Sequence, residues 1–261
     1  MKISVLTDNA PGSKTLSEHG LSYLIDYDGQ IILFDTGQTN LFMQNAKKMG
    51  IDLTTVTHIV LSHGHYDHGN GLKSLNSGKL ICHPGAFVNR YRKRDHSYIG
   101  LNMSETDMKQ KFELHTSSAP YNISENITFM GEVPRITDFE SETTPFEFDN
   151  YEPDFVMDDS GVVLQTPKGL FVVTGCGHAG VVNTLEHAQN ITGDNRIWGI
   201  MGGFHLKEEN RQTRETIQYL KNKNVKHIIP SHCTALPALA AFYNAFGNEQ
   251  VKTGNVYNFK I

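Results

Sequence analysis

Apolar and polar positions alternate in short runs through the first 35 or so residues and again through the last third of the chain, with stretches of helical spacing between them. KISVLTDN reads as a strand. LSYLIDYDGQIILFDTG follows as two β-prone runs around Asp28-Gly29, a pair suited to a tight hairpin turn. In TNLFMQNAKKMG, Leu41, Phe42, Ala46 and Met49 recur at helical spacing, with Thr39 or Asn40 placed as N-cap and Gly50 as C-cap. VTHIVLSH is then a short apolar run that ends on a histidine.

From about 86 to 150 this regularity is lost to charged and polar segments, which predicts an insertion or lid-like region with one embedded strand near ENITFMGEV. Order returns with VVLQTPKGLFVVTGCGH, a hairpin turning at Pro167 to Gly169, and a helix through AGVVNTLEHAQNI. A strand (IWGIMGGFHL), a helix (RQTRETIQYLKNKN), a strand (VKHIIPSHC), a helix (LPALAAFYNAF) and a last strand (NVYNFKI) complete the pattern. Two β-rich halves, each with helices, predict an α/β fold of two sheets packed face to face with helices outside, in one domain spanning 1–261.

Composition narrows the function classes. A chain of 261 residues, 38% hydrophobic and with a formal net charge of −5, can bury a substantial core as an ordinary soluble protein. Mild acidity argues against a nucleic-acid partner, and the one dense basic run, Arg90, Arg92, Lys93 and Arg94, is too short to reverse that. No apolar stretch approaches the roughly 18 to 20 residues of a membrane-spanning helix, and the N-terminus has no long apolar segment, so no membrane partner and a cytoplasmic location are expected. Three scattered cysteines, Cys82, Cys176 and Cys233, are too few for a disulfide framework. The thirteen histidines change the picture most, because several sit in short glycine-rich contexts.

LSHGHYDHGNG, residues 61–71, places His63, His65, Asp67 and His68 at the C-terminal end of a predicted strand, where α/β folds carry their chemistry. Ligands at alternating positions can turn toward one point while the adjacent Asp-His pair addresses a second. Imidazole suits zinc and similar divalent ions, and a carboxylate adds a hard oxygen. Three further histidines directly follow apolar strand-like runs: His178 in TGCGHAG, His205 in GGFHL and His232 in PSHC. A lone histidine there is more often a loop residue with a hydrogen-bond partner. Beside the first cluster, His178 and His232 become candidate ligands, and His205 stays open between the two readings.

SHGHYDHGNG and FDTG (Phe34 to Gly37) resemble the signature string and the early Asp-bearing strand end of the metallo-β-lactamase superfamily. TGCGHAGVVNTL, GGFHL and PSHCT are similar to the branch that includes the dihydropterin ribofuranosylaminobenzene phosphate synthase of archaeal pterin-cofactor biosynthesis. The resemblance implies an αββα sandwich of the metallo-β-lactamase type with a dinuclear site. By position, His63, His65 and His178 would hold the first metal, and Asp67, His68 and His232 the second. TGC departs from the pattern of many superfamily hydrolases by placing Cys176 where a bridging Asp would stand, so Cys176 is either a thiolate ligand or a small buried neighbour. Asp35 is a candidate for holding a ligand's far ring N–H, His83 for lining the pocket, and Cys82 and Cys233 for structural positions.

These assignments imply a hydrolase with two divalent ions, zinc by preference and manganese or iron as alternatives, activating water against a small anionic or phosphorylated metabolite, with Asp67 orienting the nucleophile. The alternatives are a carbon–nitrogen bond-forming transferase of pterin-cofactor biosynthesis and a metal-stabilised binding protein without turnover.

Overall fold

A computed structural model describes all residues, Met1–Ile261. Its contacts divide the chain into two units: Met1–Ser118 with Pro145–Asp154 and Lys252–Lys260, and Ala119–Thr144 with Phe155–Val251 and Ile261.

The chain begins in the first unit with β1 (Lys2–Thr7), β2 (Ser22–Tyr27), β3 (Gln30–Phe34), α1 (Leu41–Lys48), β4 (His58–Val60) and the single turn α2 (Tyr66–Gly69). It continues with β5 (Lys79–Cys82), β6 (Arg90–Arg92), α3 (Glu105–Lys111) and β7 (Glu113–Thr116). β8 (Tyr121–Ser124) and β9 (Ile127–Phe129) belong to the second unit, β10 (Phe146–Phe148) to the first. The second unit resumes with β11 (Gly161–Thr166), β12 (Gly169–Thr174), α4 (Val181–Thr192), β13 (Ile197–Gly203), α5 (Arg211–Asn222), β14 (His227–Ser231) and α6 (Leu236–Phe246). β15 (Val256–Asn258) returns to the first.

In the first unit a seven-stranded sheet runs β15-β1-β2-β3-β4-β5-β7. β15 to β3 pair antiparallel, with the β2–β3 hairpin turning at Asp28 and Gly29, whose φ values of 53° and 69° give the mirror-image turn that matches strand twist. From β3 onward the pairing is parallel, so the ends of β3, β4 and β5 open on one edge. Phe42 and Ala46 of α1 and Met108 of α3 join Leu33, Ile59, Leu61 and Leu80 in this unit's core.

The second unit repeats that logic. Its six-stranded sheet runs β14-β13-β12-β11-β9-β8, antiparallel from β8 to β12 and parallel from β12 to β14, so the ends of β12, β13 and β14 share an edge. Val172, Ile200 and Ile228 from the parallel strands bury with Leu185, Leu220 and Phe242 of the three helices. Fully buried strands such as GLFVVT carry no polar alternation, as expected where both faces are covered. No helix is long and apolar enough to cross a membrane.

The segment 86–150 is more ordered than its composition predicts. It holds α3, β6 to β10 and a two-stranded ladder of β6 with β10. Only Met108 of α3 is buried, so apolar periodicity could not announce that helix; its signature is the capping box in which Ser104 and Asp107 exchange side-chain-to-backbone bonds. In the second unit α4 is capped from a distance instead. The buried Glu140 carboxylate accepts the Val182 and Asn183 N–H groups at 2.9 Å each. Glu140→Ala leaves those donors buried without that partner and is expected to lower stability by about 1–3 kcal/mol in urea denaturation, with Glu140→Gln recovering part of the loss.

Candidate metal centre

Each unit presents its chemistry at the open ends of its parallel strands. In the first, β3 ends on Asp35, β4 leads into Ser62–His68, and β5 ends before His83. Asp35 is buried and takes a left-handed φ of 56°, which turns its carboxylate toward the end of β4. Its Oδ1 accepts the Ser62 N–H at 2.7 Å, and its Oδ2 accepts the Ser62 hydroxyl and the His68 Nδ1–H, each at 2.7 Å. Because the Ser62 hydroxyl donates to Asp35, it can only accept from His63 Nδ1, 2.9 Å away. Both rings are thereby held as the tautomer that leaves Nε2 with its lone pair.

Nε2 of His63 faces Nδ1 of His65 at 2.9 Å, an approach of two ring nitrogens that a shared proton or a cation has to mediate. Burial first, and then the neighbouring His68 and His65 rings, hold His63 well below the usual imidazole range, in the neutral form a metal requires. His65 packs edge-on against Phe146, with ring centroids 4.8 Å apart. Asp67, on α2, lies with Oδ2 3.0 Å from Nε2 of His19, a half-exposed residue that no sequence motif singles out. His83 is buried and accepts the Gly85 N–H through Nδ1. The loop bearing His63 and His65 runs so close to the following turn that a Cβ on Gly64 would stand 1.9 Å from the Ala86 carbonyl oxygen, which is why glycine separates the two ligand-type residues.

In the second unit β12 leads to Cys176 and His178, β13 to His205, and β14 to His232 and Cys233. His205 and His232 take left-handed φ values of 48° and 49°, so both chains turn sharply as they leave the sheet. The Thr234 hydroxyl accepts the Phe204 N–H and ties the two turns together. The His178 and His205 rings lie 4.3 Å apart. Donor atoms of Cys176, His232 and Cys233 fall within 4.8 Å of one another, and the Cys233 thiol donates to the Cys176 carbonyl at 3.3 Å. Cys233 therefore stands among ligand-type groups, where sequence reading expected a structural thiol.

The sequence model of the metallo-beta-lactamase superfamily matches residues 18–189. This chain belongs to the metallo-β-lactamase superfamily. An uncharacterized protein of Methanocaldococcus jannaschii is 34% identical over 91% of this chain and 92% of its own length. The 7,8-dihydropterin-6-methyl-4-(β-D-ribofuranosyl)-aminobenzene-5'-phosphate synthase of the same organism is 30% identical over 99% and 97%. The crystal structure of Tm1679, a metal-dependent hydrolase of the beta-lactamase superfamily, superposes over 100% of both chains with a TM-score of 0.88 at 28% identity.

The α/β fold class is that of the superfamily. Metallo-β-lactamase proteins typically bind divalent metals, and each unit offers donor types that suit one: imidazoles with the far nitrogen engaged and a carboxylate in the first, imidazole and thiols in the second.

Asp159 is a participant that sequence reading missed. Buried before β11, its Oδ2 accepts the Ala179 N–H at 2.8 Å, next to His178, while Oδ1 has no partner. Burial pushes its carboxyl up to about 7, against the Ala179 bond and the Arg135 charge. The adjacent pair Asp158-Asp159 just ahead of an apolar strand was the available signal. The folded chain keeps this proton to about pH 7, whereas an unfolded one releases it near 3.8, so the group makes stability fall as pH rises through that window. In chelator-treated protein, Asp159→Asn is expected to remove a decline of up to roughly 4 kcal/mol between pH 4 and 8, read from urea midpoints. Identical pH slopes for the two proteins would count against it.

Proposed function

We propose that this chain is a metal-dependent hydrolase with a dinuclear site, acting on a small anionic or phosphorylated metabolite. His63, His65 and His178 are assigned to the first ion, Asp67, His68 and His232 to the second, with zinc as the preferred metal and Cys176 and His205 beside them. The observation that carries the reading is the Asp35–Ser62–His63–His68 network, which engages Nδ1 of both imidazoles and so fixes the direction of their Nε2 edges. The 0.88 TM-score and 28% identity to a metal-dependent hydrolase support it.

Bound divalent ions in such a set supply Lewis acidity and a water that ionises near neutral pH. Asp67 is the residue assigned to orient that nucleophile and accept its proton, and His19, 3.0 Å from Oδ2, is positioned to take the proton onward to solvent. Segment 86–150 is the proposed cover. A second reading, a carbon–nitrogen bond-forming synthase, is favoured by the 30% identity to the pterin-pathway enzyme over nearly the full length of both chains.

Purified and reconstituted protein is expected to hold at least one equivalent of zinc, manganese or iron by elemental analysis, and less than one would sink both enzyme readings. Hydrolysis of a phosphomonoester, phosphodiester and lactone panel should fall at least about 100-fold in Asp67→Ala with the circular dichroism spectrum unchanged. Release of diphosphate and formation of the coupled product from a dihydropterin diphosphate and an aminobenzene ribotide, without hydrolysis of the panel, would decide for the synthase. Asp35→Asn is expected to weaken metal binding about 10- to 100-fold in chelator competition, because His68 loses the acceptor that fixes its ring.

A further inference from the structure

The basic run RYRKR looks like one patch in sequence, but the first unit gives its arginines separate fates. Arg90 is buried against Asp154, with Nε 3.4 Å from Oδ2, and it also donates to the Gly85 carbonyl. Arg94 pairs at the surface with Asp95 at 2.9 Å. Arg92 instead lines a cavity of about 460 Å³, within the roughly 300–1,000 Å³ of small-molecule sites. Its guanidinium donates to the phenol of Tyr66, a neutral partner that leaves the positive charge available to a ligand.

The other walls favour an anion. No acidic residue lines the cavity. Asn70 spends its carbonyl oxygen on the Asn102 N–H at 2.9 Å, so the polar atoms it has left are amide N–H donors. Gln38 adds a second side-chain amide, and Tyr98, whose hydroxyl donates to the Leu101 carbonyl at 2.7 Å, supplies a flat wall. Tyr66 lies between His65 and Asp67, and its own N–H is held by the Ile99 carbonyl at 3.0 Å. The cavity and the histidine loop therefore share a residue on a fixed piece of backbone.

We propose that this cavity binds the phosphate end of a phosphomonoester substrate, with Arg92 as its cation and Asn70 as a second donor. A guanidinium matches the planar geometry of two phosphate oxygens, and the remaining volume accommodates a sugar-sized body leading toward Asp67. The orientation of the substrate rests on the hydrolase reading; capture of the phosphate does not, because none of these groups is a metal donor.

Calorimetric titration of the full chain with ribose 5-phosphate and with ribose separates the two claims. Chelator-treated protein is expected to bind ribose 5-phosphate and not ribose, and metal loading should leave that binding in place. Arg92→Met should weaken it at least about tenfold and Arg92→Lys less. Asn70→Asp keeps the oxygen that Asn102 uses but puts a carboxylate in the cavity, and it should weaken binding at least as strongly. Equal affinity of Arg92→Met and the unaltered protein, equal affinity for ribose, or binding that requires metal would each overturn the proposal. Absence of turnover with this binding intact would instead count against the hydrolase reading alone.

Discussion

One carboxylate organises the first unit's chemistry. Asp35 has no solvent to satisfy it, so its stability in the fold depends on three donors, the Ser62 N–H, the Ser62 hydroxyl and His68 Nδ1, all at 2.7 Å. Those bonds join the end of β3 to the loop after β4, and they set the direction of the Ser62–His63 bond. The Ser62 hydroxyl has one proton to give, and giving it to Asp35 dictates the tautomer of His63. An asparagine at this position could not accept all three donors. The left-handed φ of Asp35 is the local strain that aims its side chain at β4, and parallel pairing of β3 with β4 keeps that aim fixed.

The second unit reaches a similar end by different means. Its parallel strands deliver Cys176, His205 and His232 at neighbouring ends, and sharp left-handed turns at the two histidines separate ligand-type side chains from the sheet. Here the buried carboxyls lie off the strand ends: Glu140 closes the first turn of α4, and Asp159 holds the backbone beside His178. Burial dominates both groups and raises their protonation range, Glu140 despite three backbone N–H bonds. The backbone from Ala179 into the first turn of α4 is therefore held by carboxylates that lie 20 residues or more away in sequence.

The three arginines of one short run show how a strand and its surroundings partition a charge cluster. Burial sends Arg90 into an ion pair that the core needs, exposure leaves Arg94 with its neighbour, and only Arg92 faces a polar cavity. A buried arginine has to be paired, so its charge is spent on the fold. An arginine whose partner is a neutral phenol keeps its charge for something else.

Much of this was legible along the chain. Strand and helix periods located β1 to β4 and β11 to β15 with their helices, because core packing on both faces writes itself into apolar runs. The ligand-type residues were legible for the same reason: His63, His65, Asp67, His68, His178, His205 and His232 each follow such a run, and a strand end is where a side chain can leave the sheet. Segment 86–150 showed only β9, near ENITFMGEV, and hid α3, β6 to β8 and β10, since these bury too few side chains to impose a period. His19 and Asp159 were missed, and Cys233 was read as a structural thiol, because each meets its partner from a distant part of the chain, Asp67, Ala179 and Cys176 respectively. By itself, the order of residues determined which groups stand at strand ends and so the family chemistry they can support. Only the tertiary structure decided which proton each ring carries, which carboxyl stays protonated and which arginine keeps its charge, because those properties belong to pairs of groups that folding alone brings within hydrogen-bond distance.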